Sequence, residues 1–327
     1  MLSRTAAQLF WMSRYLERAE NLVRMLDVTH SLSLLPQSRG AMTEFAAPLA
    51  VTGTLSPYIA QNRKLDGEAL FHYMALDLDN PASVLSCLKL ARENAHAVRG
   101  KITAEMWEAI NASWLEAREM PRRGITDVSG FFDWIKERSH LFRGATYGTL
   151  QRNDAYCFIR LGTFIERADN TARLLDVKSQ LIEPAVAGLA PVHLPQESAP
   201  EFYAWSALLR SLSAFEAYHE VYRDALEGRR VTELLILRPD VPRSLRACCD
   251  EIRTILPDIE ALPGSLDAGR EVKLLAGKLA LKLEYGVVDD ILDAGVHRWL
   301  TDFLAQSARL GDAIGKAYLE ANAAPVF

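Results

Sequence analysis

Residues 17–28 read ERAENLVRMLDV and residues 166–177 read ERADNTARLLDV, an offset of 149 with eight of twelve positions identical. Glu17, Arg18, Asn21 and Arg24 recur as Glu166, Arg167, Asn170 and Arg173, and Asp27 recurs as Asp176. Glu20 recurs as Asp169, so every polar position keeps its chemistry. The apolar positions drift: Leu22 becomes Thr171, Val23 becomes Ala172 and Met25 becomes Leu174. Self-similarity of this kind takes precedence over other readings of a chain. Arginine forks bind carboxylate or phosphate through paired hydrogen bonds. Glutamates beside them orient those forks, accept an amine, or act as a general base once desolvated. A site with both signs on two related helices suits a zwitterionic peptide or amino acid. Glu17, Arg18, Asn21, Arg24, Glu166, Arg167, Asn170 and Arg173 are therefore the candidate substrate-binding or acid–base residues, with no catalytic role assigned to any of them.

At roughly 100° per residue, Glu17, Asn21 and Arg24 fall within about 60° of one another on a helix. Trp11, Met12, Tyr15, Ala19, Leu22 and Leu26 lie opposite. Glu166, Asn170 and Arg173 group in the same way, opposite Leu161, Phe164, Ala168 and Leu175. A solvated polar face tolerates substitution. Two copies that keep the polar stripe while the apolar stripe varies mark the stripe as the constrained surface. That leaves a functional pocket, or a buried Glu–Arg–Asn network pinning two helices, since breaking a buried pair costs roughly 3–5 kcal/mol. Both readings stay open, with the solvated face as a third.

Secondary candidates lie outside the repeat. Arg92, Glu93 and Asn94, with Arg99, resemble it in composition and add a third helix to the same polar centre, or form an ordinary charged face. Asp240, Arg243 and Arg246 surround a helix start after Pro239 and Pro242, where an anion is favoured; the alternative is a cap with surface arginines. His140 and Arg143 precede Gly144 on an expected loop. Glu17, Glu93–His96, Glu166 and Glu216–His219 follow the order of a di-metal carboxylate bundle, with Glu-x-x-His on one helix face, and form a minor metal alternative. The leading expectation is no metal and no cofactor. Cys248 and Cys249 read as buried packing, and Trp107, Trp114, Trp134, Trp205 and Trp299 as core. No nucleophile arrangement supports independent hydrolysis. No glycine-rich phosphate loop is present, so ATP activation would come from a partner.

The elements that must position these residues are helical almost throughout, with apolar residues at spacings of three and four and little alternation. The first helix is expected from about Ser3 to Leu34. Others are expected from Asn80-Pro81 to Arg99, Thr103 to Arg118, Phe131 to His140, Asn153 to Leu181, Ala199 to Glu227 and Arg243 to Leu256. Leu266 to Leu319 reads as two helices or a bent one, given Gly286 and Gly295. Residues 40–66 are ambiguous. Residues 183–200, EPAVAGLAPVHLPQESAP, hold four of the fourteen prolines and no periodicity, which marks a linker or crossover. The expected organisation is an N-terminal helical part over 1–183 carrying both Glu-Arg motifs, a linker over 184–200, and a C-terminal helical part over 201–327 packed on the first. The fold class is all-α: a bundle of long antiparallel helices with an internal pseudo-repeat of the Glu-Arg helix.

The 327 residues are 49% hydrophobic and 24% charged, which is enough to bury a large core and excludes a chain disordered throughout. A net charge of −5 argues against non-specific nucleic-acid binding. No run reaches the ~18 apolar residues of a membrane span. The first residues are charged too densely for a secretory segment. Four cysteines show no zinc or disulfide spacing. A reduced, cytoplasmic protein without membrane or nucleic-acid partners is expected.

LFWMSRYLERAENLVRMLDV, LARENAHAVRGKITAEMWEAIN and FIRLGTFIERADNTARLLDVK together resemble the bacterial alpha-E family, an all-helical domain with a recurring Glu-Arg motif. SHLFRGATYGT (139–149) and LILRPDVPRSLRAC (235–248) are also similar to family segments, so the resemblance runs from Met1 to about Ala321. It implies Glu17, Arg18, Glu166 and Arg167 as the functional site. It also implies neighbouring genes for circularly permuted ATP-grasp proteins and transglutaminase-like proteases. The implied role is in making, modifying or cleaving a peptide or amide-linked product, as a binding component or as a helical adaptor for those enzymes. One departure is visible: Ala6-Ala7-Gln8 stands where the family pattern has Ala-Glu-Asn, so no carboxylate is available at position 7.

Overall fold

The structure is a computed structural model that describes residues 1–34, 41–187, 199–259 and 266–320. In chain order the α-helices are α1 (Ser3–Ser33), α2 (Ala41–Val51), α3 (Leu55–Ala60), α4 (Gly67–Phe71), α5 (Val84–Ala97), α6 (Ala104–Ala117), α7 (Met120–Arg123), α8 (Val128–Thr149) and α9 (Asp154–Ala187). They continue as α10 (Ala199–Ser211), α11 (Phe215–Tyr222), α12 (Gly228–Leu237), α13 (Leu245–Ile255), α14 (Leu266–Glu284), α15 (Val288–Ala294) and α16 (Val296–Ile314), which ends in a π-helical turn, Gly315–Leu319. No strand is present among the described residues, and the all-α expectation holds. No helix among them is long and apolar enough to cross a membrane.

Side-chain caps set many helix starts. Ser83, Thr103, Asp127 and Ser244 accept from the backbone N–H of Ser86, Met106, Gly130 and Ala247. Asn153 caps α9 as expected, its Oδ1 accepting from the Ala155 N–H at 3.0 Å. Asn80 does not cap α5. Its amide instead closes the preceding turn, donating to the Tyr73 carbonyl at 2.9 Å and accepting from the Ala82 N–H at 3.0 Å. The helix over 131–140 is longer than expected, 128–149, so His140 and Arg143 are helical and not on a loop. The helix expected over 199–227 breaks at Ser213, where φ is +52°. Both Gly286 and Gly295 interrupt the last stretch, which forms three helices, and Gly295 turns the chain at φ +85°. α9 runs to Ala187, and residues 188–198 of the Pro-rich segment lie outside the described residues.

α1 and α9 form the centre. They lie side by side and run in the same direction: the Met1 amine meets Asp154, Arg14 meets Glu166 and Arg167 meets Glu17. The packing register therefore matches the offset of the repeat, and equivalent residues stand level. Gly162 permits this approach, because a methyl there would overlap Ser13 Oγ and the Phe10 carbonyl. The outer helices run the other way. On α8, Lys136 meets Asp27 while Arg143 meets Glu20. On α13, Arg160 of α9 meets Glu251 while Thr171 meets the Arg243 carbonyl just before the helix. On α16, His297 meets Asp176 while Tyr318, in the turn beyond it, packs on Phe158. α13 buries Leu245, Cys248, Cys249, Ile252 and Ile255, the spacing of one apolar helix face. α1 is buried on most of its circumference, which its position between α5, α8 and α9 requires.

Candidate functional site

The two Glu-Arg motifs exchange partners. Arg167 donates to both carboxylate oxygens of Glu17, at 2.8 and 3.0 Å. Arg18 donates to both carboxylate oxygens of Glu166, at 2.6 and 3.0 Å. Each glutamate also takes a second guanidinium: Arg243 Nη1 lies 3.1 Å from Glu17 and Arg14 Nε lies 2.8 Å from Glu166. Glu17, Glu20, Asn21, Glu166 and Arg167 are all more than nine-tenths buried, so the stripe is not a solvated face.

Burial pushes the Glu17 carboxyl up, but Arg167 and Arg243 outweigh it and hold it below the usual carboxylate range. For Glu166 burial is again outweighed, by Arg14 and Arg18. For Glu20 it is outweighed by Arg243, Arg143 and Arg24, and by a hydrogen bond from Ser139 Oγ at 2.5 Å. Carboxylates held this way are weak proton acceptors, so the glutamates act as fixed anchors for arginine forks.

The candidate residues divide into a sealed half and an open half. In the sealed half, Glu17, Glu20 and Arg167 are closed over by Arg243, with Arg24, Arg143 and Ser139 completing Glu20. The open half faces a cavity of about 820 Å³. Arg18, Asn21, Glu166, Asn170 and Arg173 all line it, as does Asp169, which takes Arg173 Nε at 2.7 Å. Lys316, Asp312 and Glu320 form the facing wall. Trp11 lines the cavity too, with the Arg14 guanidinium 4.8 Å from its ring centre. Ala7 lies beside it, where a carboxylate would have faced the cavity. The amide nitrogens of Asn21 and Asn170, equivalent in the repeat, are both buried without a hydrogen-bond partner. An unmet buried donor costs about 1–3 kcal/mol, so both positions carry a stability cost. A more open depression of about 1420 Å³ lies near Arg152 and Tyr156, and no residue of the repeat lines it.

Several secondary candidates lie elsewhere. Arg92 reaches Asn111 at 3.2 Å, and both Arg92 and Arg99 lie over the Trp107 ring, so they serve the contact of α5 with α6. Arg243 does not present an anion site at a helix start; it turns inward onto Glu17, Glu20 and Asn21. Asp240 is taken by Arg238, and Arg246 by the Leu237 carbonyl. His140 is exposed, 3.4 Å from Arg24 Nη2. The metal alternative is not assembled: Glu93, His96, Glu216 and His219 are exposed, while Glu17 and Glu166 are buried under arginines. Among the described residues no cluster of histidine, cysteine and carboxylate groups could hold a metal ion. Arg14, Glu20 and Ser139 are parts of the network that the candidate set omits. The Glu20-to-Asp169 recurrence was the available signal for one of them.

The geometry can be set beside known proteins. An uncharacterized protein of Mycobacterium bovis and two of Mycobacterium tuberculosis are each 22% identical to this chain over 295 residues. The match covers 83% of this chain and 31% of each relative, so the chain spans about a third of their length. No solved structure matches. The Alpha-E family model, described as a predicted alpha-helical domain with a conserved ER motif, matches residues 1–319. With two Glu-Arg pairs crossed at the centre of an all-helical fold, this chain belongs to the Alpha-E family.

Proposed function

We propose that the chain binds a peptide or amino-acid-like ligand in the cavity beside the crossed Glu-Arg pairs. It would do so as a component of a bacterial system that makes, modifies or cleaves peptide or amide bonds. An ATP-grasp-type ligase and a transglutaminase-like protease are its expected partners, supplying activation and bond cleavage. One observation carries the ligand class: the cavity is lined by Arg14, Arg18, Arg173 and Lys316 together with Glu166, Asp169, Asp312 and Glu320. A wall of balanced charge complements a zwitterion better than a simple anion or an apolar molecule. Mass spectrometry of small molecules released from natively purified protein tests this. A retained peptide or amino acid, lost in Arg18→Ala, supports it; an apolar or nucleotide ligand rejects it.

The second reading is a non-catalytic helical adaptor. It is favoured by the relatives, in which the matching region is under a third of a longer chain. Arg18→Ala separates the two. Loss of pathway output with the complex intact favours the binding site, and loss of the complex alone favours the adaptor.

A further inference from the structure

The chain repeats itself a second time. Asp79, Pro81, Ser83 and Cys87 recur 161 residues later as Asp240, Pro242, Ser244 and Cys248. Both sets open a helix with the same cap: Ser83 Oγ accepts from Ser86 at 3.1 Å and Ser244 Oγ accepts from Ala247 at 3.0 Å. α5 packs on α1, and α13 packs on α9. Cys87 lies in the field of Arg18 and Glu166, and Cys248 in that of Arg167 and Glu17. An approximate two-fold axis parallel to α1 and α9 therefore exchanges α1 with α9 and α5 with α13.

One place where the symmetry fails is the residue before the capping serine. Between the proline and the serine stands Ala82 in the first copy and Arg243 in the second. Arg243 donates to Asn21 Oδ1 at 2.6 Å and to Glu20 at 2.8 Å. The axis carries Asn21 onto Asn170, Glu20 onto Asp169 and Arg243 onto Ala82. All three images line the cavity. Glu166 is not left short, because Arg14 supplies its second guanidinium, and the repeat equivalent of Arg14 is Thr163. Asp169 and Asn170 are short. Glu20 is met by Arg24, Arg143, Arg243 and Ser139, whereas Asp169 has Arg173 alone among the described residues. The side chain of Asn170 makes no hydrogen bond among them. Where α8 offers Arg143 to Glu20, the residues of α16 that line the cavity, Ser307, Ala308, Gly311 and Asp312, include no cation.

We infer that the cavity takes a guanidinium or primary ammonium group of its ligand beside Ala82, on Asp169 and Asn170, as Arg243 sits on Glu20 and Asn21. This rests on the cavity being a ligand site, and it narrows the ligand to a peptide or amino acid presenting a cation. The ligand carboxylate or carbonyl then faces Arg18, Arg173 and Lys316. The symmetry-related half shows that this fold accommodates a guanidinium in such a seat, even with neighbouring arginines.

Calorimetric titration of the full chain separates the charges. Agmatine, a cation without a carboxylate, is expected to bind saturably. Asp169→Asn should weaken it about tenfold or more, the loss of a charge-assisted hydrogen bond. Ala82→Arg should abolish it by filling the seat. Binding of N-acetylglycine without binding of agmatine overturns the cation seat and leaves the ligand site standing. Binding of neither overturns both. Agmatine affinity unchanged by Ala82→Arg also overturns the seat. Thermal melting gives a probe-free check: Ala82→Arg should melt at or above the parent, and Ala82→Glu below it. The opposite order contradicts the inference.

Discussion

Arg167 closes on Glu17 through two hydrogen bonds of 2.8 and 3.0 Å, and both side chains are more than nine-tenths buried. Removing one partner strands a buried charge, which costs about 3–5 kcal/mol. Arg167→Met is therefore expected to lower the unfolding free energy by roughly that amount in urea titrations. Arg243→Met should reach the top of the range, because Glu17, Glu20 and Asn21 all lose a partner. A change under about 1 kcal/mol, the scale of an exposed pair, would show that these charges are solvated after all.

Arg18 plays the same part for Glu166 but is less enclosed, with 30% of its side chain exposed. Arg14 stays on Glu166 when Arg18 is removed. Arg18→Met should thus cost less stability, about 1–2 kcal/mol, while removing a cavity wall. Parallel melting and ligand-retention measurements on Arg18→Met and Arg167→Met should rank the two variants in opposite orders.

Glu17, Glu20 and Glu166 are all pushed up by burial and pulled further down by arginines, ending below the usual value of 4.5. A carboxyl that is lowered in the folded state contributes stability that is complete above the unfolded value. That contribution drains away as pH falls below it. Melting temperature should be nearly flat from neutral pH to about 5 and fall steeply beneath 4.5. A gradual decline beginning near pH 7 would contradict this.

Gly162 is where α9 comes against the Phe10 carbonyl and Ser13. Gly162→Ala forces the two central helices apart and should destabilise by about 1–3 kcal/mol, although alanine is the better helix former. Gly277, with open space around its Cβ position, is the control, and Gly277→Ala should be neutral or stabilising.

Burial pushes the Cys87 and Cys248 thiols up to about 12, and Cys249 well above its ordinary value. The thiolate is the reactive form. Alkylation at pH 8 should leave these three cysteines intact in the native protein and modify them once it is denatured, as peptide mass mapping would show.

Local signals were legible in the sequence and relations between helices were not. The α1 start and end, the Asn153 cap and the glycine breaks at 286 and 295 follow from neighbouring residues. The N-terminal boundary of α5 was misplaced, because Asn80 and Ser83 are both good cap residues and only the turn geometry decides between them. The repeated polar stripe picked out residues that the two central helices bring together. It did not show that the two stripes pack in parallel and trade partners, since periodicity holds no information about a neighbour's direction. The projection placed Trp11 on the apolar side, yet Trp11 is 37% exposed and lines the cavity. On a helix enclosed from several sides, a two-face division fails. Arg243 was legible only as a charge near a helix start. Its inward turn follows from the second repeat, which sets its backbone opposite Glu20 and Asn21.

The crossed pairs also set an order on synthesis. Glu17 leaves the ribosome 150 residues ahead of Arg167 and 226 ahead of Arg243. Until both have emerged, a central helix bearing Glu17, Glu20 and Asn21 must keep these groups hydrated. The early helices therefore cannot close their interior on their own. Closure of the centre is expected only once the segment carrying Arg243, just before α13, is present.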